Sequence, residues 1–292
     1  MQPVPKEPTM TVQQLVTGDE AALETFLAAH ADESMFLRAN LRNAGLVYGG
    51  EPGQAIYAAA STDGRIGGVA AHCWNGMVVL QAPDGAAELA HACVAWSGRR
   101  VTGFAGPAGQ VREARRALAL EGAEAAVEGD EGLYALNLRD FAAERFLNGP
   151  VACRPPEPAE RDLLHAWRVA YDIELLGAAD TPETRERAAS FLDAQIAAGN
   201  AWVAVAQGAP VSLSAFNAAL PDIVQLGGIY TPPALRGRGF ARIAVAASLA
   251  AARDRGVSRA VLFTNNPSAV RTYEAVGFRR TGDYSLVLLR IG

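Results

Sequence analysis

A mixed α+β architecture, built from two like halves that each hold a central mixed β-sheet flanked by helices, is what the sequence predicts, and three observations carry it. Strand-like runs at 55–60, 67–74 and 77–81 recur in the same order at 201–206, 211–217 and 223–230, with a glycine-ended turn after the first run of each set, Thr62-Asp63-Gly64 and Gln207-Gly208. Apolar residues at helical spacing precede each set, over 20–46 and again from 160 to 198. The run Tyr134-Ala135-Leu136-Asn137-Leu138-Arg139 returns 150 residues later, from Tyr284 through Ser285-Leu286-Val287-Leu288-Leu289 to Arg290. A duplication of this size predicts two domains, 1–150 and 151–292, joined near Asn148-Gly149-Pro150.

Composition agrees with two folded domains. The 292 residues exceed a typical single domain, and 50% hydrophobic residues are enough to fill two cores. A net charge of −5 argues against nucleic-acid binding. Residues 1–10, with Pro3, Pro5 and Pro8, have neither the charged start nor the apolar middle of a signal peptide and predict a loose tail. The longest apolar run, 243–252, lies between Arg242 and Arg253 and falls short of the roughly 20 residues a membrane helix needs. A cytoplasmic bacterial protein with no membrane partner is the expectation. Cys73, Cys93 and Cys153 form no Cys-x-x-Cys pair and read as buried thiols in a reducing compartment. His72, Cys73, His91 and Cys93 set no ligand spacing, so no metal is assigned.

In chain order, Leu23, Phe26, Leu27, Met35, Phe36 and Leu37 place helices over 20–46, ahead of the first sheet. The second half opens on a helix over 160–176, where Leu164, Trp167, Tyr171 and Glu174 fall three and four apart on one face. Glu174 thereby shares the apolar side, while His165, Arg168 and Asp172 are expected in solvent. Thr181-Pro182 reads as N-cap and first residue of a helix running to about 198, before Gly199.

The chemistry concentrates after the strand at 223–230. There Gly228-Ile229-Tyr230-Thr231-Pro232-Pro233 leads through Ala234-Leu235 into Arg236-Gly237-Arg238-Gly239 and the helix that begins Phe240-Ala241. A helix start offers unpaired N–H groups and a positive dipole end, glycines let backbone approach a ligand, and Arg236 and Arg238 add charge, so the stretch is an anion site. A Walker loop is excluded by the missing Gly-Lys-Ser/Thr. A dinucleotide fingerprint is excluded because Arg242 replaces its third glycine and Arg259 lies near its acidic position. What remains is Arg-x-x-Gly-x-Ala over Arg236, Gly239 and Ala241. One helix and one strand later comes Asn266-Pro267-Ser268-Ala269, continuing to Tyr273 and Gly277-Phe278. The two segments, in this order and spacing, resemble the coenzyme motifs of the GNAT superfamily of N-acetyltransferases, firmly over 201–290.

The resemblance implies two GNAT-like domains, acetyl-coenzyme A as cosubstrate, and direct transfer of the acetyl group to an amine. It implies that Arg236, Gly237, Arg238, Gly239, Phe240 and Ala241 hold the pyrophosphate. It also implies that the backbone of Ile229, Tyr230 and Thr231 pairs with the pantetheine arm and the reacting carbonyl, and that Tyr273 stabilises the departing thiolate. Asn266 either caps its helix or holds the pantetheine. For the general base Glu174 is the choice, because a carboxylate on an apolar face should have a raised pKa, with Asp222 second. The acceptor is a small-molecule or peptide amine, and the protein a monomer or homodimer. A non-catalytic acyl-coenzyme A sensor is the alternative. The first copy reads as degenerate: Pro83-Asp84-Gly85-Ala86-Ala87-Glu88 stands where the second has its loop, Gly106 replaces Asn266, and Glu113-Ala114 falls near the tyrosine position.

Overall fold

The structure, a computed structural model, describes residues 10–290. The tail expected over 1–10 lies outside them, apart from Met10. In chain order the first elements are β1 (Thr11–Gln14), α1 (Glu20–Ala29), α2 (Met35–Ala44), β2 (Ala55–Thr62), β3 (Arg65–Cys73), β4 (Met77–Gln81), α3 (Ala86–Ser97), β5 (Gly103–Pro107), α4 (Ala108–Ala117) and β6 (Ala125–Asn137). They are followed by α5 (Glu144–Leu147), β7 (Ala152–Arg154), α6 (Arg161–Leu176), α7 (Pro182–Ala197), β8 (Ala201–Ala206), β9 (Ala209–Ala219), β10 (Ile223–Tyr230), α8 (Phe240–Asp254), β11 (Arg259–Thr264), α9 (Pro267–Val276) and β12 (Arg279–Leu289).

Local chemistry accounts for most boundaries. Both expected hairpins turn on two residues with positive φ, Asp63 and Gly64 at 51° and 75° and Gln207 and Gly208 at 52° and 79°, the turn whose twist matches the flanking strands. The Thr181 hydroxyl accepts from the Thr184 N–H and Pro182 follows at the first helical position, so α7 starts as the sequence implied. Strand β1 has no expectation in the sequence behind it. It pairs with β2 from Thr11↔Ser61 to Gln14↔Ala58, and its four residues are all exposed, so it shows no in–out alternation to read.

Two compact units emerge. One runs to Glu131 and resumes at Asp283, and the other is Gly132–Gly282. The strand order is β1-β2-β3-β4-β5-β12 in the first unit and β6-β11-β10-β9-β8-β7 in the second, each sheet mixed and flanked by helices. The division differs from a cut at residue 150, and hydrogen bonding is the reason. The second unit is closed by residues from the first half of the chain, with β11 antiparallel to β6 from Arg259↔Asn137 to Thr264↔Gly132. The first unit is closed by the C-terminal strand, with β12 antiparallel to β5 from Tyr284↔Pro107 to Leu288↔Gly103. The two repeated segments are thus exchanged: each half of the chain supplies the closing strand of the other unit.

In the second unit one sheet face packs Phe216, Val224, Leu226 and Leu262 against α8 and α9. The opposite face packs Ala201, Val203, Leu213 and Tyr230 against Leu164 and Trp167 of α6 and Leu192 of α7. In the first unit Ala58, Ala70, Leu80, Phe104 and Val287 pack under α3 and α4. Cys73 and Cys93 are buried, with burial pushing both thiols up to about 12, while Cys153 is only half-buried, its thiol at about 11. His72 is fully buried, with one ring nitrogen on Ser97 Oγ and the other on the Gly76 carbonyl, so it is a packed core histidine. Among the described residues no helix is long and apolar enough to cross a membrane.

Candidate active site

The site is organised by two parallel strands that part. β10 and β11 pair from Ile223↔Arg259 to Gln225↔Val261, and there the ladder stops, although β10 continues to Tyr230 and β11 to Thr264. β10 also carries a bulge on its other side. Gly227 faces Ala215 and Tyr230 faces Leu213, one residue too many, with Gly228 at φ +65°. A bulge leaves backbone groups out of the ladder and bends the strand, so the backbone of Gly228 and Ile229 is released for other partners. The helices that follow the two strands, α8 and α9, begin at their carboxyl ends. That is where open α/β sheets take ligands and where helix N–H groups point outward.

The loop entering α8 is shaped by its glycines. Gly237 and Gly239 sit at φ +76° and +80°, Gly239 is the N-cap, and a Cβ at Gly237 would meet nothing within 4 Å, so the glycine serves conformation and approach rather than packing. Arg238 is exposed, its guanidinium 4.8 Å from the centroid of the Phe240 ring, while Phe240 itself is buried as an anchor. Arg236 is tied down on two sides: Nε donates to the Thr231 carbonyl at 2.9 Å and Nη2 to Glu174 Oε2 at 2.7 Å. Thr231 Oγ1 lies 2.8 Å from Ser212 Oγ, which fixes the strand end on its neighbour. The side chains of Ile229 and Tyr230 pack into the core, Tyr230 against Trp167 with ring centroids 6.3 Å apart, so only their backbone is on offer.

At the other wall, Asn266 resolves its open reading. Its Oδ1 accepts from the N–H groups of Ser268 at 2.9 Å and Ala269 at 3.2 Å, the N-cap of α9, and that oxygen is spent. Tyr273 is buried, edge-on to Phe278 at 5.8 Å, and burial, with a smaller contribution from Tyr171, holds its hydroxyl above the ordinary phenol range. It stays protonated as a donor.

Helix α6 departs from expectation. Glu174 is exposed, and its hydrogen bond to Arg236 holds the carboxyl below the usual range, outweighing a small opposing effect of burial. The raised pKa that recommended it as a base is therefore overturned: an i, i+3 and i+4 count places a residue on a face, but Glu174 lies in the last turn of α6, where its side chain is exposed. Asp222 precedes the amino end of the eight-residue β10, about 25 Å of strand away from the loop. Arg168 and Asp172, expected in solvent, are buried at 9% and 2% exposure, and Arg168 Nη2 stands 3.0 Å from Asp172 Oδ1. The guanidinium lies 4.2 Å from the Phe191 ring centroid and 4.9 Å from that of Tyr171. Its Nη1 stands only 2.9 Å from where a Cβ on Gly228 would be, so the pair props the bulge. The one sequence signal was an oppositely charged i, i+4 pair, which is usually a surface feature.

The first unit has the same ladder with a shut end. β4 and β5 pair from Met77↔Gly103 to Val79↔Ala105, but a Cβ at Gly106 would lie 2.8 Å from the Leu80 carbonyl oxygen. Gln110 of α4 reaches across to accept the Ala82 N–H at 2.7 Å. Where the second unit opens a cleft, backbone here closes on backbone.

Comparison with known proteins places this geometry. Residues 164–278, all within the second unit, match the Acetyltransferase (GNAT) family. An acetyltransferase of Agrobacterium fabrum is 43% identical over 54 residues, a match that spans 18% of this chain and 39% of that relative's length. The fold is similar to that of a GCN5-related N-acetyltransferase from Sphaerobacter thermophilus, 18% identical over 97% of this chain and 96% of that one, with a TM-score of 0.60. It is also similar to a tandem GNAT protein from the clavulanic acid biosynthesis pathway, 15% identical over 96% and 97% of the two chains, with a TM-score of 0.54. Residues 164–278, which carry the parted strands and the loop into α8, are thus the part of the chain that matches the Acetyltransferase (GNAT) family.

Proposed function

We propose that the second unit binds acetyl-coenzyme A and transfers its acetyl group directly to the amine of a small molecule or peptide. The observation that carries this reading is the cleft between β10 and β11, with a bulged backbone on one wall and the starts of α8 and α9 at its mouth. The residues present fit the coenzyme. The amides that open α8, the αL glycines Gly237 and Gly239, and exposed Arg238 make a cradle for a pyrophosphate, and the edge of β10 turned toward the cleft, from Ile229 through Tyr230 to Thr231, can pair with an extended amide-bearing arm. When bound, the coenzyme supplies an acyl thioester.

The chain's own part is to orient and to place charge. Holding the two reactants together lowers the barrier by about 7–11 kcal/mol. N–H groups of the bulge donate to the carbonyl oxygen as it becomes negative. Tyr273, kept protonated by burial, donates a hydrogen bond to the departing sulfur, and a complete proton transfer is not required of it. Glu174 is ionised at neutral pH and orients Arg236 beside the loop; with its lowered pKa it is a weak base. The first unit, with its end closed at Gly106 and Leu80, acts as a degenerate copy that keeps the fold without the ligand.

Calorimetry with acetyl-coenzyme A, followed by thiol release against a panel of amines, tests the reading. Binding with release on an amine supports it, and absence of binding removes it. Binding with no release on any amine favours a coenzyme sensor, a reading supported by the pairing of Glu174 with Arg236 in place of a free base.

A further inference from the structure

The second unit holds another concavity, at the end of its sheet away from the cleft mouth. It is formed around the first residue of β11, the last of β6, the C-terminus of α9 and the start of β12, and its volume is about 550 Å³. Sites for small ligands run from about 300 to 1,000 Å³. Arg259, the first residue of β11, lies in this cavity, whereas the mouth of the cleft lies past Thr264, the last; the six residues of β11 run about 20 Å between them.

The lining is unbalanced in charge. Arg145 and Arg279 border the cavity with Asp140 as the one carboxylate among the lining residues, an excess of one positive charge before Arg259 is counted, in a chain whose net charge is −5. Among the described residues Arg145 and Arg279 have no ion-pair partner, and both are exposed toward solvent. Asn137 adds to the same sign: its Oδ1 accepts the Arg139 N–H at 3.1 Å, which leaves the amide NH₂ as the end on offer. Phe146, stacked on Phe141 with centroids 6.2 Å apart and planes at 17°, makes a fixed apolar wall. Like charges gathered round one hollow repel each other unless a counter-ion or ligand neutralises them, and low-dielectric walls strengthen the field inside.

We propose that this cavity is a binding site for a small multivalent anion, carried on phosphate or carboxylate groups, separate from the acyl-transfer site. Arg145 and Arg279 clamp the charged groups, Asn137 donates alongside them, and Phe146 covers an apolar part of the ligand. Guanidinium forks suit both oxyanions, since both present paired oxygens.

The test is calorimetry on the full chain at low salt, with inorganic pyrophosphate and citrate as separate probes. Pyrophosphate is expected to be able to occupy the α8 loop as well, so the measurement is made on three proteins: the parent, the loop variant Arg236→Glu with Gly239→Glu, and the cavity variant Arg145→Glu with Arg279→Glu. The proposal expects at least one probe to bind the loop variant as it binds the parent. The cavity variant should lose about tenfold or more in affinity for each arginine removed. Stronger pyrophosphate binding assigns the site to phosphorylated ligands, stronger citrate binding to polycarboxylates. No binding of either probe, or binding lost in the loop variant and kept in the cavity variant, overturns the proposal. Should charge reversal unfold the chain, Arg145→Gln with Arg279→Gln is read by the same criteria.

Discussion

At the scale of single residues, the site turns on which side chains are already committed. Glu174 and Arg236 hold each other at 2.7 Å, and an exposed pair of this kind contributes about 0–1 kcal/mol, so the proposed coenzyme site can draw on the arginine at little cost. Glu174→Gln is expected to leave stability nearly unchanged, raise coenzyme affinity a few-fold, and keep the shape of the pH–rate profile; a profile that shifts would restore Glu174 as the base. Tyr273→Phe removes one hydroxyl from a buried ring, and turnover should fall at least about tenfold with coenzyme affinity intact. Equal turnover in steady-state kinetics would place sulfur stabilisation elsewhere. His72 bears on stability instead. Burial first, then the charge of Arg99, lowers it from 6.5 to about 4. Between those values the unfolded chain binds a proton that the folded one refuses, so stability falls as pH drops through the window, by on the order of 3 kcal/mol. His72→Gln should flatten this part of the pH–stability curve, which denaturant titrations between pH 4 and 7 would read.

At the scale of elements, the loop into α8 is both the most legible part of the site and the easiest to disable. Arg236→Glu with Gly239→Glu places carboxylates at the helix start and a side chain at φ +80°, which costs about 1–2 kcal/mol outside glycine. Coenzyme binding should become undetectable by calorimetry while the circular dichroism spectrum holds, and unchanged affinity would sink the coenzyme reading. This loop was readable because its chemistry is local: two glycines, two arginines and a helix start lie within six residues. Helix α6 is only partly legible, for the opposite reason. Periodicity correctly turned Leu164 and Trp167 inward, but it gave Glu174 to the apolar side and Arg168 and Asp172 to solvent. The bulge at Gly228 decides that point, by making room for a buried guanidinium that no pattern within α6 announces.

At the scale of the whole molecule, the exchanged closing strands make a cut at the apparent repeat boundary a poor one. A fragment of residues 151–292 lacks Gly132–Asn137, the strand that pairs with β11, whereas 132–282 keeps it. The longer-paired fragment 132–282 is expected to unfold cooperatively and bind acetyl-coenzyme A, and 151–292 to aggregate; cooperative unfolding of 151–292 in denaturant would show that the closing strand is dispensable. By itself the sequence determined the mixed α+β class, the repeated order of strands and turns, the glycine- and arginine-bearing loop into α8 and the two segments that form the walls of the cleft. Each of these is written in contiguous residues, through alternation, helical period or turn chemistry. The tertiary structure alone decided which closing strand serves which unit, that Asn266 spends its oxygen on a cap, that Glu174 is paired and acidic, and that Arg168 lies under the bulge. Those depend on residues far apart in the chain meeting in space, and two similarly patterned strand sequences, Tyr134–Arg139 and Tyr284–Arg290, carry no mark of which partner each will choose.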